Sequence, residues 1–271
     1  MVADRYGSGP AVVLLHGQPG SARVWSGVVP LLCDRFALLV PDRPGYGRTG
    51  GAAGGFTDNA GALIALLDSA GVERAILVGH SWGGGVALAA AEEFPGRVAA
   101  LVLAASVGPG ENVTWIDRVL AAPLIGDAIA ALTLGVVGGL LNAARLRRSA
   151  DRHLSGRPHE ALRDATGMTG ATGAGVWRSF VVEQRAYVQE LEGLAGGLRR
   201  IQVPVAVVHG THDRTVAPHV GEQLSGAIPG ATHTAVADAH HYLPHEHPEV
   251  IAAAVEEVAR RSNPTRLERG A

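Results

Sequence analysis

A serine set between glycines, with an aspartate and then a histidine far downstream, is the constellation in this chain with the clearest chemistry. Gly79-His80-Ser81-Trp82-Gly83 fits the pattern G-x-S-x-G. In that pattern a sharp strand-to-helix turn strains the serine backbone and exposes its hydroxyl at a helix N-terminus, where developing negative charge is favoured. Flanking glycines remove side chains where strand and helix must nearly touch. A serine hydroxyl is a weak nucleophile until a base takes its proton, and the base needs an acid to orient it. Asp213, in Gly210-Thr211-His212-Asp213, is the candidate acid, and the pair His240-His241 holds the candidate base. Imidazole titrates near neutrality, so it can accept the serine proton and later return it to a leaving group.

These residues need a scaffold, and the apolar pattern supplies one. Residues 75–78 read as a strand leading into Ser81, and 82–94 as the helix behind it. Short apolar runs at 11–15, 36–40, 98–104, 205–209 and 232–237 read as further strands. Helical signals lie between them: one capped by Ser21 and running to Leu32, one capped by Thr57 or Asp58 and running to Ala70, and others near 220–226 and 249–261. Near-continuous apolar strands alternating with helices imply a parallel sheet covered on both faces. Asp213 then follows a strand's C-terminal end, where sites in such sheets collect. Between Gly108 and about Gly197 the strand rhythm gives way to an Ala-, Leu- and Arg-rich helical stretch. The expected organisation is a core of residues 1–109 and 198–271 with a helical insertion at 110–197.

Composition narrows the function classes. The 271 residues are 47% hydrophobic and 18% charged, enough for a sizeable core and unlike a disordered chain. A net charge of −2 provides no global field for nucleic acid. All 23 basic residues are arginine, which removes a Schiff-base lysine and a G-K-[ST] phosphate loop. The single cysteine, Cys33, allows no intramolecular disulfide or multi-Cys cluster and reads as a packed thiol. His240, His241, His245 and His247 invite a metal, but Pro244 interrupts the helical spacing of His241 and His245, so neither metal nor cofactor is expected. The apolar run 119–141 is broken by Pro123 and Asp127 and reads as a buried or pocket-facing helix, not an integral membrane span. No charged segment, apolar run and cleavage site precede residue 11, so the expected location is the cytoplasm.

With these motifs in place, the chain resembles the α/β-hydrolase fold superfamily, in its cap-bearing form. His16-Gly17-Gln18-Pro19-Gly20 is similar to the family's oxyanion loop, and Asp42-Arg43-Pro44-Gly45-Tyr46-Gly47-Arg48-Thr49 to its D-x-P-G-x-G-x-S/T loop. Gly210 to Val216 is similar to its G-x-x-D-x-x-V acid loop. The family's terminal pattern, a histidine seven residues before a proline, counts back from Pro248 to His241; His240 stands where the family usually has glycine and is the runner-up base. The resemblance implies a mostly parallel sheet with an inserted helical cap, a triad of Ser81, Asp213 and His241, and an oxyanion hole made by the backbone N–H groups of Gln18 and Trp82. Side chains of Gln18, Trp82 and His240 are the candidates for substrate contact. Serine, not aspartate, at residue 81 sets the chain apart from the family's dehalogenases and epoxide hydrolases.

The expected function is therefore hydrolysis of an ester or lactone of a small, largely hydrophobic substrate through an acyl-serine intermediate. A cofactor-free haloperoxidase or perhydrolase, a carbon–carbon bond hydrolase, an aminopeptidase anchoring its substrate amine on Glu111 or Glu183, and a non-turnover receptor are alternatives on the same triad. The arginines between 145 and 163 read as a solvated helix face. Only ten residues precede Ala11, so the family's first edge strand is expected to be short or missing, which leaves an edge that a second copy in a homodimer could cover.

Overall fold

The computed structural model describes residues 1–109, 113–137 and 175–262. Glu111, the arginines of 145–163 and the tail beyond Ser262 lie outside the described residues.

Among the described residues seven strands form one sheet in the order β1-β3-β2-β4-β5-β6-β7. They are β1 (Ala3–Tyr6), β2 (Ala11–Leu15), β3 (Ala37–Pro41), β4 (Ala75–His80), β5 (Val98–Ala104), β6 (Val205–Gly210) and β7 (Thr232–Val236). All neighbours are parallel except β1, which pairs antiparallel with β3 through Ala3↔Pro41 and Tyr6↔Leu38. The edge strand is thus present and four residues long. Its polar sequence, Ala-Asp-Arg-Tyr, carries no apolar run by which it could be seen in advance.

The α-helices among the described residues are α1 (Val29–Leu32), α2 (Phe56–Ser69), α3 (Trp82–Glu93), α4 (Trp115–Ala121), α5 (Ile125–Ala130), α6 (Val176–Glu190), α7 (Pro218–Ala227), α8 (Leu243–Glu246) and α9 (Pro248–Ser262). The helix anticipated from Ser21 to Leu32 is instead a 3₁₀ turn, Ala22–Trp25, followed by α1. Pro30 explains the break: it has no N–H to donate and its ring crowds the carbonyl one turn earlier. α2 starts at Phe56, and Asp58 acts from within its first turn by accepting the Gly55 amide at 3.2 Å. The apolar run from 119 is also broken at Pro123, where α4 and the stretch Ile125–Val136 meet at 90°. Among the described residues no single helix is long and apolar enough to cross a membrane.

Strand alternation divides the core into two layers. Val13, Leu15, Leu77, Leu101, Leu103 and Val207 face Phe56, Leu63, Val86 and Leu194. Val12, Leu14, Ile76, Val78, Val102 and Val208 face Trp25, Ile251, Val255 and Val258. Both faces are buried, as a parallel sheet requires.

The topology also fixes where a site can lie. The chain passes from β2 to β3 on one side, then crosses back over β2 to place β4 on the other. The loops after β2 and β4 therefore diverge, and a crevice opens between them at the carboxyl ends of the strands. Helices α4, α5 and α6 lie between β5 and β6 in the chain, and α6 packs on the loops at that same end of the sheet.

Candidate active site

Ser81 joins β4 to α3 with φ 53° and ψ −122°, a left-handed geometry that costs a non-glycine residue about 1–3 kcal/mol. Its amide donates to the Ala104 carbonyl at 3.0 Å, and its carbonyl accepts from Gly84 at 2.9 Å and Val107 at 3.2 Å. The turn tolerates no side chains beside it. A Cβ on Gly79 would lie 2.4 Å from the Gly83 oxygen, and one on Gly83 would lie 2.4 Å from the Leu15 oxygen. Ser81 is thus pressed outward over the first turn of α3, whose leading amides, beginning with Trp82, have no carbonyl partner one turn back.

The hydroxyl of Ser81 donates to Nε2 of His241 at 3.0 Å, and Nδ1–H of His241 donates to Oδ2 of Asp213 at 2.8 Å. All three residues are buried. Oδ1 of Asp213 accepts the amides of Thr215 at 2.8 Å and Val216 at 3.0 Å. Burial alone would raise the Asp213 carboxyl, but hydrogen bonds from His209 and His241 and the Thr215 amide hold it far below the usual carboxylate range. Such a chain can withdraw the serine proton while the carboxylate stays ionised.

A cavity opens on Ser81, lined by Gly17, Gln18, Pro19, Val24, Thr215, His241 and Tyr242, with His16 and His80 behind them. Burial, reinforced by Arg43 beside His16 and by the His241 ring beside His80, holds both His16 and His80 down to about 3, so both imidazoles are neutral at physiological pH. His80 donates Nε2–H to the His241 carbonyl at 2.9 Å and so braces the loop that carries His241.

The sequence profile of the alpha/beta hydrolase fold matches residues 10–248. The chain belongs to the alpha/beta hydrolase fold family. It is an enzyme of that family by the same match, and named relatives agree. The pimeloyl-[acyl-carrier protein] methyl ester esterase of Methylococcus capsulatus is 31% identical, over 87% of this chain and 89% of its own. The uncharacterized protein Rv2715 of Mycobacterium tuberculosis is 27% identical, over 98% of this chain and 80% of its own. In three dimensions, the thermophilic esterase of Thermogutta terrifontis superposes with a TM-score of 0.75 at 24% identity, covering 96% of this chain and 93% of the esterase.

Not every candidate of this hydrolase's sequence lies on the cavity. Gln18 does, and its side chain donates to the Phe180 carbonyl of α6 at 2.8 Å. The Trp82 side chain turns inward instead, its ring 4.4 Å from that of Phe56 and fully buried, so it is core and not pocket wall. His240 is 64% exposed at its side chain, and its backbone N–H donates to Glu246 at 2.9 Å; it reaches neither Ser81 nor the cavity. Asp238 is exposed on the surface beside His212.

Glu183 corrects a further expectation, because it cannot anchor a substrate amine: it is sealed from solvent and paired with Arg43. Burial pushes its carboxyl above the ordinary value, against the pull of Arg43 and the Tyr46 hydroxyl at 2.7 Å. Arg43 and His209 are among the site-adjacent residues that the motifs did not single out, with Val24 and Tyr242 of the cavity wall. An arginine beside a proline in a glycine-rich loop was the available signal for the first, and it carries no sign of burial.

Proposed function

We propose that this enzyme is a serine hydrolase that cleaves an ester or lactone of a small, largely hydrophobic substrate. The observation that carries the reading is the unbroken hydrogen-bond chain from Ser81 through His241 to Asp213 at the mouth of the cavity. In this reading His241 Nε2 takes the hydroxyl proton as Ser81 Oγ bonds to the substrate carbonyl carbon, and the carbonyl π electrons move onto oxygen. The amides of Gln18 and Trp82 hold that oxyanion. When the tetrahedral centre collapses, His241 returns the proton to the departing alkoxide, leaving an acyl-serine. Water, deprotonated by the same imidazole, then releases the acid and restores the Ser81 hydroxyl. Asp213 stays ionised throughout and stabilises the imidazolium.

The segment 110–197 acts as the cap in this account. Val24, Pro19 and Tyr242 offer an apolar wall for the acyl group. The esterase named among the relatives makes an ester the first substrate class to try. Steady-state hydrolysis of p-nitrophenyl esters of increasing acyl length tests the reading, with Ser81→Ala beside the parent. Turnover that disappears in Ser81→Ala supports it, and turnover that survives there rejects it.

A further inference from the structure

The Gly17–Gln18 peptide lines the cavity, and Arg43 braces it from behind. This side chain is fully buried, and each of its N–H donors has an acceptor. Nε donates to the His16 carbonyl at 2.8 Å, and Nη2 to the Gly17 carbonyl at 2.9 Å and to Glu183 Oε2 at 3.3 Å. Nη1 donates to Glu183 Oε1 and to Asn59 Oδ1. The Gly17 carbonyl also accepts Nδ1–H of His16 at 2.9 Å, while Nε2 of His16 is held by the Arg43 amide at 2.9 Å. The guanidinium sits 4.5 Å from the centre of the Trp82 ring, so it contacts one residue of the proposed oxyanion hole through its ring and the other through the carbonyl of the Gly17–Gln18 peptide.

The peptide plane turns this brace into a pointing device. Gly17 C=O and Gln18 N–H belong to one trans peptide, so they point in opposite directions. A carbonyl drawn toward the guanidinium and the His16 ring sends the Gln18 N–H the other way. A cationic donor on the carbonyl oxygen also polarises the amide, which makes its N–H a stronger donor. Glu183 reaches the guanidinium from α6, so the position of Arg43 is set jointly by the core loop and the inserted helix.

We propose that Arg43 is a positioning residue for the oxyanion: it aims and polarises the Gln18 N–H, with Glu183 of the insertion holding the guanidinium in register. This rests on the serine-hydrolase reading above. It predicts that disturbing the pair weakens stabilisation of the tetrahedral state more than substrate binding.

The test compares the parent with Arg43→Lys and with the double variant Arg43→Met/Glu183→Leu. The double variant removes both charges together, because a lone buried charge would unfold the chain, whereas apolar replacement of a whole buried pair is commonly tolerated. The lysine keeps the charge and the partner but lacks the fork. Three quantities are read: kcat and KM for p-nitrophenyl acetate, inhibition by an aryl trifluoromethyl ketone, which forms a hemiketal oxyanion on a nucleophilic serine, and the thermal midpoint.

The expected result is a kcat lower by about 10- to 100-fold in the double variant, with KM within about threefold and ketone affinity lower by a factor similar to that in kcat. Arg43→Lys should lie between it and the parent. Folded variants with unchanged kcat and ketone affinity overturn the inference while leaving the hydrolase reading in place. Should the double variant fail to fold, Arg43→Lys decides alone by the same comparison. A parent enzyme that neither hydrolyses the ester nor binds the ketone removes the hydrolase reading, and the inference with it.

Discussion

The imidazole Nε2 of His209 lies 3.3 Å from Oδ2 of Asp213, the same carboxylate oxygen that accepts the His241 proton at 2.8 Å. His209 also donates to the Val216 carbonyl at 3.0 Å, which fixes its proton on Nε2 and directs it toward the Asp213 loop. The Asp213 carboxylate is therefore shared by two rings, of which His241 lines the cavity and His209 does not.

Removing the His209 contact should loosen the Asp213 carboxylate on which the His241 ring rests. His209→Leu is expected to lower kcat/KM by about 3- to 10-fold with KM little changed, while His209→Gln keeps an N–H donor and stays near the parent. A His209→Leu variant with the kcat/KM of the parent would show that the contact does not hold Asp213 in place.

Neutral, buried His16 and His80 make stability depend on pH in a definite direction. Both are held at about 3 when folded, against 6.5 for the free group, so below 6.5 the unfolded chain binds more protons. Their contribution is complete above 6.5 and is lost as pH falls toward 3, at about 1.4 kcal/mol per pH unit for each histidine. Urea unfolding between pH 7 and 4.5 measures the slope, and His80→Gln should lower it by one proton. A stability that stayed level across that range would contradict the assignment.

Two glycines separate the demands of the elbow from ordinary helix propensity. Gly61 sits exposed in α2 with nothing within 4 Å of an added Cβ, so Gly61→Ala should stabilise the fold by about 0.5–1 kcal/mol. Gly79→Ala places its methyl against the backbone of Gly83 and Gly84 and should cost several times as much, about 3 kcal/mol or more. Equal and opposite small shifts in denaturation midpoint would mean that the elbow has room it is not shown to have.

The adjacent histidines offer a further contrast. His240→Ala, on the exposed side of the loop, should leave kcat/KM within about twofold, whereas His241→Ala should lower it by several orders of magnitude. The reverse ranking would transfer the base to His240.

How far each of these features could be read from residues alone follows from how local its cause is. Ser81, Asp213 and His241 carry signals in their own neighbourhoods: glycines that permit the turn, apolar strands before the loops, and a proline at a fixed distance. The strands of the two-faced sheet were visible for the same reason. The inward turn of Trp82 was not, because a tryptophan after a nucleophilic serine fits wall and core equally until Phe56 is packed against it. Arg43 and Glu183 are 140 residues apart, and nothing near either one reports that both will be buried as a pair. Polar β1 was nearly silent, since an edge strand needs no apolar run.

The central claim is that Ser81 becomes covalently acylated during turnover. Acid quenching of the enzyme shortly after mixing with a p-nitrophenyl ester, followed by intact-mass and peptide mass spectrometry, tests this directly. The account predicts a mass increase equal to the acyl group on the peptide holding Gly79-His80-Ser81-Trp82-Gly83, absent from Ser81→Ala and accumulating when His241 is replaced only to a trace. Rapid ester turnover with that peptide unmodified, or an adduct on any other residue, would contradict it.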